Sequence, residues 1–96
     1  MVDETGRKIV LITGISGFLG STVAQKILKL KPEWQIRGMM RHPDDACKLA
    51  GLRKVWGDKF DDVELVSGDV FGAETLLKAT KGVTYVVHCA MLVPSN

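Results

Sequence analysis

A short apolar run rich in β-branched residues, Lys8-Ile-Val-Leu-Ile-Thr13, ends directly on Thr13-Gly14-Ile15-Ser16-Gly17-Phe18-Leu19-Gly20. Such a run, bounded by glycine, suits a strand buried on both faces. Glycines at 14, 17 and 20 then give a G-x-x-G-x-x-G spacing where the pattern switches to a helical period. Gly14 permits a tight turn that a Cβ would obstruct, and Gly17 lets the backbone approach a pyrophosphate at a helix N-terminus. Gly20 falls on the first helical turn and allows it to pack tightly against the sheet. Glycine-rich turns often serve chain reversal alone. Here the glycines stand in the strand–turn–helix setting that a dinucleotide site requires.

The rest of the chain continues the alternation. Leu19, Val23, Ile27 and Leu30 recur at helical spacing over Gly17 to Lys31, on one face, before Pro32 stops the helix. Trp34 to Met40 reads as a second strand. Pro43, Asp44 and Asp45 look like the opening of a second helix, with proline in its first turn, carried on by Leu49, Leu52 and Trp56. Val63 to Val66 forms a third strand ending at Ser67-Gly68-Asp69, and Ala73 to Lys81 a third helix built on Leu76 and Leu77, with Gly82 at its stop. Val83 to Ala90 is the fourth and most apolar strand. Strands alternating with helices imply right-handed crossovers and a parallel sheet. The expected fold is α/β, a Rossmann-type sheet of four strands and three helices in the order 3-2-1-4. Its ligand site is expected beyond the carboxyl ends of the first and fourth strands.

Ninety-six residues are less than an average domain, too few for a cofactor domain and a separate substrate domain. Thirteen Lys and Arg against 11 Asp and Glu leave +2, too little for nucleic-acid binding by charge alone. The apolar run Ile9 to Ile12 falls far short of the roughly 20 residues of a membrane span. Met1 to Glu4 is acidic and shows no signal-peptide pattern. Cys47 and Cys89 have no metal-ligand spacing. The expectation is a soluble, cytoplasmic, reduced protein with neither nucleic-acid nor membrane partners.

Sites that hold NAD usually place an acid at the end of the second strand, on the ribose hydroxyls. Here the strand ends Met39-Met40-Arg41-His42-Pro43-Asp44, and Arg41 stands where the acid would be. Its planar guanidinium suits a 2′-phosphate, which favours NADP, with NAD as runner-up because Asp44 and Asp45 follow closely. Asp69, ahead of the third helix, could serve as its N-cap.

The string Thr-Gly-x-x-Gly-Phe-Leu-Gly resembles the extended short-chain dehydrogenase/reductase family, which includes nucleotide-sugar epimerases, dihydroflavonol-type reductases and hydroxysteroid dehydrogenases. The likeness runs from Lys8 to about Pro94. It implies cofactor contacts from Gly14, Ser16, Gly17, Phe18, Leu19 and Gly20, and Arg41-His42-Pro43-Asp44 is similar to a segment of NADP-using members. It also implies that Asp69 and Val70 lie beside the adenine, and that Ala90, closing Val86-Val87-His88-Cys89-Ala90, leaves room for the ribose and nicotinamide. Met91 replaces the family's second alanine. His88 and Cys89 read as buried residues of the strand, the histidine satisfied within the core.

Members of this family reduce carbonyls or oxidise alcohols with a Tyr-x-x-x-Lys pair and an upstream Ser or Thr. Tyr85 is the only tyrosine, Cys89 stands four residues on, and Tyr85 is expected inside a buried strand. No catalytic residue is therefore assigned, and the resemblance implies that residues 1–96 form the N-terminal part of one NAD(P)-binding domain, with the catalytic C-terminal part absent. The favoured function is the dinucleotide-holding portion of an oxidoreductase or epimerase, with a small-molecule substrate only once a C-terminal half completes it. The alternative is a non-catalytic nucleotide-binding or structural assembly module. The open side of the fourth strand also suggests self-association.

Overall fold

The computed structural model describes residues 6–69 and 72–89. Val70 and Ala90 lie outside the described residues. The elements run β1 (Ile9–Thr13), α1 (Phe18–Leu30), β2 (Gln35–Met40), α2 (Ala46–Trp56), a 3-10 segment (Gly57–Asp62), β3 (Val63–Ser67), α3 (Ala73–Ala79) and β4 (Tyr85–His88). All pairings are parallel, in the order β3-β2-β1-β4. This is the expected incomplete Rossmann-type architecture.

Alternation along the strands divides the core into two layers. On one face Val10, Ile12, Ile36, Met40 and Val63 pack with Ala24 of α1 and Leu52 and Trp56 of α2. On the other, Leu11 and Met39 meet Ala79 of α3. β1 is buried at every position, which is why its sequence is uniformly apolar up to Thr13.

α1 departs from the expected face. Its buried residues are Gly20, Ser21 and Ala24, with Val23, Ile27 and Leu28 packed alongside. Leu19 and Leu30 are 54% and 68% exposed. Small residues let the helix sit close to the sheet, and the stripe is rotated accordingly. α2 begins at Ala46 rather than at Pro43, because the Asp45 carboxylate accepts from the Cys47 and Lys48 amides at 3.0 and 3.2 Å. α3 ends at Ala79, and Leu77 is 72% exposed, so Leu76 alone of that pair packs inward. Gly82 has φ +76°, consistent with a reversal just past the helix.

β4 is shorter than expected and lies at the sheet's edge. Tyr85 and Val86 are 43% and 55% exposed, and His88 is exposed as well. The expectation of a buried strand is corrected for all three. A strand with a neighbour on one side only, and little packed over it, cannot bury its side chains however apolar they are.

Candidate dinucleotide site

The carboxyl ends of β1, β2 and β3 form the candidate site, and each is tied to the next. Gly14, with φ +67°, turns the chain off β1, and the Gly17 amide donates to the Gly14 carbonyl at 3.1 Å. The turn is pinned from below by Ile15, which is fully buried. Its amide donates to the Met39 carbonyl at 3.3 Å. Its side chain fills the space above Gly38, where a Cβ would stand 2.6 Å from Ile15 Cγ1. Gly38 and Ile15 are the supporting pair that the sequence reading missed. A lone glycine inside a strand is the signal that marks such close approaches.

Gly17 and Gly20 differ in what confines them. A Cβ on Gly20 would collide with the Gly14 carbonyl oxygen and lie 2.9 Å from its carbon. Gly20 thus lets α1 rest on the turn itself. A Cβ on Gly17 would meet only the Gly14 oxygen, at 3.4 Å, an ordinary contact, and Gly17 is exposed. Gly17 is also the N-cap of α1, where no side chain caps the helix and no acid stands in the first turn. The helix N-terminus therefore presents amide donors and positive dipole to the space a Gly17 side chain would enter. Ser16 is half-buried within the turn. Phe18 and Leu19 are exposed, Phe18 to 88%.

Beyond β2, Arg41 is exposed and its Nε lies 3.6 Å from Asp69 Oδ2. The ends of β2 and β3 are joined by the Gly68 amide donating to the Met40 carbonyl at 3.0 Å and by Ser67 Oγ donating to the Arg41 carbonyl at 3.3 Å. Arg41 and Asp69, singled out separately in the sequence, are brought together. The N-cap position of α3 is Gly72 rather than Asp69. Asp45 is engaged by α2, which leaves Asp44 as the exposed acid on that loop.

Between β1 and β4, Thr13 Oγ1 and His88 Nδ1 are 2.8 Å apart, and the Cys89 amide donates to Thr13 Oγ1 at 3.1 Å. His88 is thus satisfied, as expected, but at the surface. Cys89 is half-buried, and desolvation pushes its thiol pKa up. Among the described residues no cluster of His, Cys, Asp or Glu could hold a metal. A depression of about 510 Å³ lies at the opposite, amino ends of the strands, bordered by Arg7, Gln35, Arg37 and Glu64. Arg7 there already donates to Gln35 Oε1, and Arg37 pairs with Glu64. Ligands of open α/β sheets bind at the other end.

Comparison with known proteins agrees with this architecture. Residues 10–95 match the model of the NAD dependent epimerase/dehydratase family. An uncharacterized oxidoreductase of Schizosaccharomyces pombe is 35% identical over 89 residues, 93% of this chain and 25% of its own length. Sanguinarine reductase of Eschscholzia californica is 28% identical over 94 residues, 98% of this chain and 31% of that protein. The chain thus spans between a quarter and a third of these two relatives. Among solved structures, UDP-glucuronic acid 4-epimerase of Bacillus cereus, in complex with a UDP-sugar analogue and NAD, shares the fold at a TM-score of 0.66 and 24% identity, over 91% of this chain and 27% of that one. A thiolation-reductase di-domain from an archaeal non-ribosomal peptide synthetase superposes at 0.68 with 27% identity, over 90% of this chain and 25% of that one. Among the described residues no helix is long and apolar enough to cross a membrane. A parallel sheet with a buried central strand, a glycine turn opening α1 and a family match over residues 10–95 lead to one assignment: the chain belongs to the NAD dependent epimerase/dehydratase family.

Proposed function

We propose that this chain holds the dinucleotide of an NAD(P)-dependent oxidoreductase or epimerase acting on a carbonyl or alcohol substrate. The observation that carries this reading is the steric difference between Gly17 and Gly20. Among the described residues nothing demands glycine at 17, yet a side chain there would enter the space before an uncapped helix N-terminus. A pyrophosphate placed there would accept from first-turn amides and meet the positive end of the α1 dipole. In this reading Gly14, Ser16, Phe18 and Leu19 shape the cradle and Gly20 seats the helix. Arg41 faces the adenosine ribose, and Asp69 borders the adenine. The bound cofactor supplies the hydride acceptor or donor, while these residues bind and orient it.

Arg41 inclines the site toward NADP over NAD. Its guanidinium is exposed and carries planar donors matched to a phosphate. Asp45, one of two acids that could have served a ribose diol, is occupied as a helix cap.

Titration of the parent, Gly17→Val and Arg41→Ala with NADPH and NADH tests both parts. Gly17→Val is expected to weaken both cofactors while remaining folded. Arg41→Ala is expected to weaken NADPH by about 1.5–3 kcal/mol, the range for hydrogen bonds to charged groups, and to leave NADH nearly unchanged. A folded Gly17→Val protein with parental affinity would remove the pyrophosphate assignment. Equal losses of both cofactors in Arg41→Ala would remove the NADP preference.

A further inference from the structure

We propose that Asp69 is a specificity-determining residue of this site, its negative charge opposing an adenosine 2′-phosphate held by Arg41 and so narrowing the preference for NADP. This rests on the nucleotide reading above and adds to it a second charge that acts against the first. Among the described residues, Asp69 is the acid within ion-pair distance of Arg41, at 3.6 Å from its Nε.

The backbone of Asp69 is held independently of that pair. Its amide donates to Thr75 Oγ1 at 3.2 Å, and Thr75 Oγ1 lies 2.7 Å from the Gly72 carbonyl. The Cα of Asp69 therefore stays at the β3 end whether or not Arg41 moves, which keeps its carboxylate within reach of that side chain. The separation of 3.6 Å exceeds that of a charge-assisted hydrogen bond, about 2.7–2.9 Å. The contact is single-point, and the two side chains are 66% and 41% exposed. A pair of this kind is too weak to fix the guanidinium in one pose, so Asp69 contributes little as a support for Arg41. Its charge remains. A 2′-phosphate engaging Arg41 would bring two further negative charges near the Asp69 carboxylate, whereas the neutral ribose hydroxyls of NAD can donate to a carboxylate. Arg41 and Asp69 thus pull cofactor choice in opposite directions. With the acid in place, discrimination is narrower than Arg41 alone would give.

The test is calorimetric titration of the full chain and its Asp69→Asn variant with NADPH and with NADH, at fixed low ionic strength, with thermal melts to verify folding. Asparagine keeps the shape and removes the charge. The affinity ratio favouring NADPH is expected to rise by roughly 3- to 10-fold, an effect that shrinks with added salt. Asp69→Ser, which also removes the charge, is expected to move the ratio in the same direction and serves if the asparagine variant does not fold. An unchanged or reduced ratio, with both cofactors still binding the parent, overturns the proposal and leaves the nucleotide reading standing. A parallel loss of both cofactors gives an unchanged ratio and counts against it equally. A folded parent that binds neither cofactor overturns the nucleotide reading and this proposal with it.

Discussion

A methyl group placed on Gly20 would overlap the Gly14 carbonyl oxygen, whereas one on Gly17 would stand 3.4 Å from it. Gly17 has φ −80° and ψ 169°, a conformation open to any residue, so neither strain nor packing requires glycine there. The two positions should separate cleanly in equilibrium unfolding. Gly20→Ala forces α1 off the turn and is expected to lose about 1–3 kcal/mol, the cost of overpacking a close contact. Gly17→Ala is expected to stay within about 1 kcal/mol of the parent, the scale of an N-cap change. If the two variants unfold at the same urea concentration, the steric distinction behind the site is wrong. Both glycines were legible in the sequence as members of one spacing. Their different duties were not, because spacing records where a side chain is missing and says nothing of what would have met it.

Elements show the same division between pattern and contact. Strand order followed from alternation and connection length, and β1 could be read because burial on both faces leaves no polar position before Thr13. The face of α1 could be read only in part, since Val23 and Ile27 pack on the core as their spacing predicts. Hydrophobic periodicity gives weight to Leu19 and Leu30, yet the helix docks through Gly20, Ser21 and Ala24. Residues that small carry almost no hydropathy signal. The 3-10 segment Gly57–Asp62 was equally hidden, since its charged sequence reads as a loop. α2 is joined to α1 by an interaction no periodicity reveals: buried Trp56 donates from Nε1 to the Ser21 carbonyl at 3.0 Å. That bond sits one turn into the helix whose N-terminus opens the candidate site. Trp56→Phe removes the donor and part of the ring, and a loss of about 1–3 kcal/mol is expected from the hydrogen bond and the void together. Dinucleotide affinity should fall as well if α1 is seated through α2. A stability loss with affinity untouched would show that the glycine turn and Ile15 hold α1 by themselves.

For the molecule as a whole, the sheet order leaves β3 and β4 as edges, and the two are not equally guarded. β3 carries Glu64, paired with Arg37 at 2.9 Å, and charge on an edge discourages further pairing. β4 carries no charged residue among Tyr85, Val86 and Val87, and Val86 is 55% exposed on the face away from α1 and α2. Tyr85 is partly shielded by stacking on Trp34, with ring centroids 5.1 Å apart, so Val86 is the unshielded apolar position. A polypeptide of residues 1–96 is therefore expected to associate through β4 as its concentration rises. Val86→Lys should suppress that association by placing an unpaired charge in the new ladder. The same sample is expected to oxidise no NADPH with small ketones or aldehydes, because carbonyl reduction needs a proton donor held within reach of the substrate oxygen. His88, at the β1–β4 junction, is engaged with Thr13 at 2.8 Å. Sedimentation velocity over a concentration series checks the association, and NADPH absorbance checks the turnover. A monodisperse monomer at every concentration would show that β4 is protected in a way its exposure does not reveal. Turnover abolished by Tyr85→Phe would make Tyr85 the proton donor although Cys89, not lysine, stands four residues on.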